Sequence, residues 1–196
     1  INMIEKVYPH MLPHLSSCRS PQMMMGPLIK TYRAKHMQID PKKIYSVSMM
    51  PCVAKKAEIE RPQLLREGQK DVDAVLTTRE MGALLKMKGI TDWDSVPELN
   101  YDDPLGESTG AAALFANSGG VMEAALRTAY ELATGKTLES VDFTMVRGMD
   151  GIREATIKVG DLDLRVAVVS GGKNIRALME KIEKAPNKPL YHFVEF

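Results

Sequence analysis

A thiol, an ammonium and a carboxylate stand three residues apart in Cys52, Lys55 and Glu58. Cys52 directly follows Pro51, which closes the β-type run Ile44-Tyr45-Ser46-Val47-Ser48-Met49-Met50. Ligands gather beyond the carboxyl ends of strands in open α/β sheets. A thiol there, beside a cation that favours thiolate, is placed to bind a metal centre. The competing reading is a small buried hydrophobe. Gly171-Gly172 and Gly119-Gly120 each sit where a helix N-terminus could face an anion, or could ease a tight turn. Phe115 and the helix after Gly120 point to a close approach of backbone at the second pair. His10 and His14 share a four-residue spacing but are interrupted by proline and lack a third ligand, so they read as surface. No Gly-x-Ser-x-Gly elbow supports a hydrolase.

The elements that must position these groups follow from periodicity. Ile4, Val7, Tyr8, Met11 and Leu15 suggest a short helix despite Pro9 and Pro13. Pro21 opens an amphipathic helix to Met37 through Met24, Met25, Leu28, Ile29 and Tyr32, with the Met23-Met24-Met25 run read as adaptable core filling. A second strand, Asp73-Ala74-Val75-Leu76, runs into Thr77 and Glu80, the spacing of a capping box for a helix to Lys88. Residues 89 to 110 form a long loop around Trp93. The Ala- and Leu-rich stretch from Ser118 to Thr134, closed by Gly135, is the strongest helix, and its largely apolar circumference predicts burial. Strands are expected over 143–146, 155–159 and 162–169, the last two joined at Gly160-Asp161, then a helix carrying Ile175, Leu178, Met179 and Ile182. Residues 191–196 alternate as a final strand.

Composition narrows the class. The 196 residues carry 26 Lys+Arg and 25 Asp+Glu, a net charge of +1, which disfavours a nucleic-acid grip. With 44% hydrophobic residues the chain reads as globular, and no apolar run approaches the roughly 18 residues of a membrane span. Cys18 and Cys52 are too few for a disulfide framework or a closed iron-sulfur site, so a reducing, cytoplasmic setting is expected. The first residue is Ile and the last strand stops without a turn, so the chain reads as a segment of something longer.

The run Ser48-Met49-Met50-Pro51-Cys52-Val53-Ala54-Lys55-Lys56-Ala57-Glu58 closely resembles the Met-Pro-Cys-x-x-Lys-x-x-Glu signature of FeFe-hydrogenases. The resemblance extends in family order to the blocks from Leu15 to Gln22, Asp73 to Glu80, Gly110 to Ala112 and Gly119 to Arg127. It implies an H-cluster, a 4Fe-4S cubane joined through a cysteine sulfur to a diiron unit with CO, cyanide and a dithiolate. Cys52 would be one of the four cubane ligands, the others falling before Ile1 and after Phe196. By the same resemblance Lys55 donates to a cyanide, with an ion pair to Glu58 as its structural alternative. Met50 and Pro51 line the cluster, Gln22 and Phe115 complete its surroundings, and the Ser16 hydroxyl belongs to a proton path. Ser16 could equally cap a turn. Ala116 departs from the glycine expected after the phenylalanine, and Cys18 has no implied ligand role.

The expected fold is α/β, two lobes over residues 1–90 and 91–196, each a small mixed sheet flanked by helices, with the cofactor between them. The parent enzyme would interconvert H2 with protons and electrons using ferredoxin or a similar carrier, after loading by maturation proteins. The isolated span would be inactive, and no nucleic-acid or membrane partner is expected. The rivals are a hydrogenase-like iron-sulfur protein with an assembly or binding role, such as the nuclear prelamin-recognition relatives, and a sensory hydrogenase. A nucleotide-binding module using Gly171-Gly172 lacks the ribose-binding acid.

Overall fold

The computed structural model describes residues 1–103, 105, 110–115, 117–138, 141, 144–145, 150–185 and 189–196. Its contacts divide it into two compact units, Ile1–Gly106 and Glu107–Phe196.

In the first unit, helix α1 (Asn2–Val7) gives way to a 3-10 segment, Pro9–His14, with Pro13 inside it. Arg61 grips Glu5 with two hydrogen bonds of 2.7 and 2.9 Å, fixing α1 to the chain 56 residues on. Helix α2 (Pro21–Leu28) starts on Ser20, whose Oγ accepts the Met23 N–H, with Pro21 at the first helical position. Proline at position 27 has no N–H to give the preceding turn, and its carbonyl accepts the Thr31 hydroxyl at 2.6 Å. The ladder widens there into a π-helical turn, Ile29–Arg33, before α3 (Ala34–His36). The helix expected from Pro21 to Met37 is therefore present but interrupted.

Strand β1 (Val47–Met49) leads into α4 (Ala54–Glu58), and β2 (Ala74–Leu76) into α5 (Thr78–Met87). The strands pair in parallel, Val47 with Ala74 through Met49 with Leu76. Buried Lys30 reaches both oxygens of Asp73, and Oδ2 also accepts the Ser46 N–H at 2.6 Å, so the helical arm is tied to the start of both strands. Met23, Ile59, Val72 and Val75 form the core, with Met50 and Leu64 against it. Only Met23 of the methionine run is core; Met24 and Met25 are exposed, because consecutive helical positions cannot share one face.

The capping box forms as expected: Glu80 N donates to Thr77 Oγ1 at 3.2 Å and Thr77 N to Glu80 Oε2 at 2.8 Å. Lys56 of α4 adds a 2.7 Å ion pair to Glu80. The Lys56 ammonium, with the Thr77 donors, holds the Glu80 carboxyl down at about 2 against an ordinary 4.5. A depressed carboxylate stabilises the folded state above its unfolded pKa and loses that contribution as pH falls through the folded one. Acid titration should thus fray the start of α5 between about pH 4.5 and about pH 2. Glu80→Gln should flatten that dependence in amide-exchange measurements over the same window, and an unchanged profile would contradict the assignment.

The second unit begins with α6 (Ala111–Phe115) and α7 (Gly120–Thr134), then β3 (Thr144–Met145), β4 (Ile152–Val159), β5 (Leu162–Val169), α8 (Gly172–Glu183) and β6 (Phe193–Glu195). The expected strand over 143–146 lies partly outside the described residues. The sheet order is β3-β4-β5-β6, antiparallel until β6 joins β5 in parallel. Gly160, at φ 60, turns the β4–β5 hairpin.

Val166 and Val168 face the α7 side with Met122 and Leu126, while Ala167 and Val169 pack with Leu178 of α8. Helices on both faces explain why β5 ends in an unbroken apolar run instead of an alternating one. The all-round burial expected for α7 is corrected: Leu132 is 83% exposed, since only the face bearing Met122 and Leu126 meets the sheet. The α/β class holds, with a two-stranded parallel sheet in the first unit and a mixed one in the second.

Candidate functional site

Cys52 follows the carboxyl end of β1 and opens the turn into α4, where its carbonyl accepts the Lys55 N–H at 3.2 Å. Its thiol is free and exposed, as is that of Cys18. The buried-hydrophobe reading of Cys52 therefore fails. Pro51 is exposed and Met50 half-buried against the first unit's core.

Lys55 and Glu58 lie one helical turn apart, which brings Nζ to 3.0 Å from Glu58 Oε2. Glu58 is buried at 8% exposure, and the same oxygen accepts from Ser20 Oγ at 2.9 Å and Gln22 Nε2 at 3.4 Å. An ammonium has three N–H groups, and the Glu58 pair occupies one, so the lysine is aimed without being saturated. Gln22 is buried too, and its Oε1 has no partner among the described residues. The structure thus brings Gln22, Lys55 and Glu58 together beside the turn that carries Met50, Pro51 and Cys52.

Ser16 is exposed, and its Oγ accepts the Cys18 N–H at 3.1 Å, the turn-capping arrangement. Phe115 belongs to the second unit, where it ends α6 and is 42% exposed; Ala116 lies outside the described residues. Ser20 was not singled out from sequence. The contact runs across 38 residues, and only the Ser-Pro pair at a helix start could have drawn attention to it as a cap.

The glycine pairs resolve differently from an external anion site. A Cβ on Gly120 would lie 1.6 Å from the Leu114 carbonyl oxygen, so the close approach is between α6 and α7 themselves. Glu195 of β6 takes the Gly119 and Met122 N–H groups at 3.2 and 2.7 Å, filling the positive end of α7. At Gly171, φ 89 suits glycine, and Asn174 Nδ2 closes the turn on the Asp150 and Ser170 carbonyls at 2.7 Å each.

An iron-sulfur cubane needs four thiolates. Cys52, exposed beyond a strand end, has the chemistry to supply one of them. Among the described residues no cluster of three or more His, Cys, Asp or Glu could hold a metal ion. No helix among the described residues is long and apolar enough to cross a membrane.

Residues 1–196 match the family described as "Iron only hydrogenase large subunit, C-terminal domain", and the chain belongs to that family. It is 52% identical over 192 residues to the periplasmic [Fe] hydrogenase large subunit of Nitratidesulfovibrio vulgaris, covering 98% of this chain and 45% of that one. An apo [FeFe]-hydrogenase of Chlamydomonas reinhardtii superposes with a TM-score of 0.81 at 38% identity, over 98% of this chain and 55% of that chain. Cytosolic iron-sulfur assembly component 3 of Mus musculus is 34% identical over 189 residues, 94% of this chain and 39% of its own length. The chain spans less than half the length of these curated relatives.

Proposed function

We propose that the chain supplies one wall of the H-cluster site of an FeFe-hydrogenase, whose whole protein interconverts H2 with protons and electrons, exchanging the electrons with ferredoxin or a similar carrier. The observation that carries this is the exposed Cys52 thiol at the mouth of the turn from β1 into α4, with Lys55 three residues on held by a buried carboxylate. When bound, the cluster supplies the redox chemistry; the protein supplies position, insulation and proton movement. Cys52 provides one thiolate. Lys55 keeps its remaining N–H donors for a cyanide, and Glu58 fixes the direction in which they point. Met50, Pro51 and Gln22 exclude water, and the Ser16 hydroxyl passes a proton. The three other cubane thiolates exceed what a chain with two cysteines can give, so the 196 residues alone are inactive and depend on maturation proteins acting on a larger polypeptide.

Two exposed, unpaired thiols favour a reducing, cytoplasmic compartment, although the Nitratidesulfovibrio relative is named as periplasmic. The assembly reading, raised by the murine relative, asks nothing of a cyanide-directed lysine, whereas here Lys55 is oriented by a dedicated buried acceptor.

In the whole protein, Lys55→Ala should reduce hydrogen evolution and diiron retention by about 100-fold more than Lys56→Ala, taking the pair as a desolvated charge-assisted contact. Infrared bands of the cyanides and iron analysis provide the readout. Equal effects of the two substitutions would remove the cyanide-partner role. The 196-residue chain, reconstituted with iron and sulfide, should stay colourless, and full 4Fe-4S occupancy would contradict the ligand count.

A further inference from the structure

We infer that the first unit carries a second ligand site, separate from Cys52, that takes a nucleoside diphosphate. A cleft of about 440 Å³, a volume that suits a small ligand, opens where the chain enters β1 and β2. Its lining includes the buried Lys30 and its partner Asp73. Lys30 Nζ also donates to the Lys70 carbonyl at 2.7 Å, and Asp73 N to the Ser46 carbonyl at 2.9 Å, so this one ion pair ties the two walls together. The wall before β1 is the 3-10 turn Pro41–Lys43, started by Asp40, whose Oδ1 accepts the Lys42 N–H at 3.0 Å. The wall before β2 is Gln69 and Lys70. Backbone contacts thus shape the cleft before any ligand arrives.

Charge and an exposed ring define the occupant. Among the described residues lining the cleft Asp73 is the one acid, and Lys30 with the Ser46 N–H already takes both its oxygens. Lys42 and Lys43 are exposed and form no ion pair among the described residues. Lys70 shares its ammonium with Glu60, a carboxylate 61% exposed and outside the lining, and so solvated a pair yields readily to a stronger anion. The cleft therefore holds a surplus of two ammonium groups, with a third at hand. Tyr45 beside them is 72% exposed, and its ring packs on no other ring among the described residues. An aromatic face next to free ammonium groups can stack a base and bind its phosphates by charge-assisted hydrogen bonds. An inorganic anion would leave the ring bare, and a neutral aromatic would leave the lysines uncompensated. A nucleoside diphosphate answers both, its base on Tyr45 and its phosphates among Lys42, Lys43 and Lys70.

Calorimetric titration of the protein with ADP, pyrophosphate and adenosine, in the absence of divalent cations, separates these contributions, because the second lacks the ring and the third the charge. ADP should bind saturably, pyrophosphate about fivefold or more weaker and adenosine about tenfold or more weaker. The double substitution K42Q/K43Q should weaken ADP by about tenfold, and Tyr45→Ala by about fivefold while leaving pyrophosphate unchanged. Lys86→Gln removes an exposed charge of α5 outside the cleft and should leave ADP binding as it was. Lys42, Lys43 and Tyr45 are all exposed, so the variants should melt like the parent; should Tyr45→Ala not, the comparison of ADP with pyrophosphate still reads the ring. No saturable ADP signal, equal affinity for the three probes, or an equal loss from K86Q and K42Q/K43Q would overturn the site. Pyrophosphate binding as tightly as ADP would overturn the nucleotide assignment. None of these outcomes bears on Cys52.

Discussion

Gly120→Ala should shift the unfolding transition of the second unit strongly downward. The new Cβ would sit 1.6 Å from the Leu114 carbonyl oxygen and 2.5 Å from its carbon, and both are backbone atoms without a rotamer to escape into. Relief demands that α6 move off α7, the helix whose Met122 and Leu126 cover one face of the sheet. We expect a loss of about 4 kcal/mol or more, in the range reserved for disrupted packing. For a unit of this size that means a fall in Tm above about 15 °C. Gly82 offers the internal comparison, since it lies within α5 with nothing inside 4 Å of a Cβ. Gly82→Ala should therefore stabilise by about 0.5–1 kcal/mol through helix propensity alone. Calorimetry on both variants decides the matter; a Gly120→Ala protein melting like its parent would mean the α6–α7 corner is wrong.

Glu58→Ala should be the most damaging single change in the first unit's polar cluster, at about 2–4 kcal/mol in urea unfolding. One carboxylate oxygen accepts from Ser20, Gln22 and Lys55, so its removal takes an acceptor from three donors at once, leaving Gln22 only the Lys55 carbonyl at 3.5 Å and stranding a cation only 23% exposed. Glu58→Gln keeps an acceptor in place and should cost less. Ser20→Ala removes one of the three donors together with the cap of α2, and about 1–2 kcal/mol is expected. A Glu58→Ala loss under about 0.5 kcal/mol would show that the oxygen is solvated in solution and that Lys55 is held by something else.

What could be foreseen was what short-range chemistry dictates. Thr77 and Glu80 are three residues apart, and their reciprocal bonds need no knowledge of the rest of the chain. Gly160-Asp161 made its hairpin for the same reason. The apolar run Val166 to Val169 was legible as a strand, but its two-sided burial depended on α7 and α8 both reaching it. The π turn at Ile29–Arg33 escaped because it needs Pro27 and the Thr31 hydroxyl together, in a stripe that otherwise reads as a regular helix. Around the site, Lys55 and Glu58 could be paired by their spacing. Their anchoring by Ser20 and Gln22 could not, since those contacts cross 36 to 38 residues and arise only once α2 lies against α4. Likewise the glycines before α7 suggested an anion, and the sequence held no sign that the anion would be Glu195.

That last contact reaches beyond packing. A carboxylate already seated on the amides of Gly119 and Met122 leaves no room there for a phosphoryl group. The second unit should consequently be indifferent to cellular nucleotide and phosphate levels at this helix, and its glycine-rich opening should not be mistaken for a metabolite sensor.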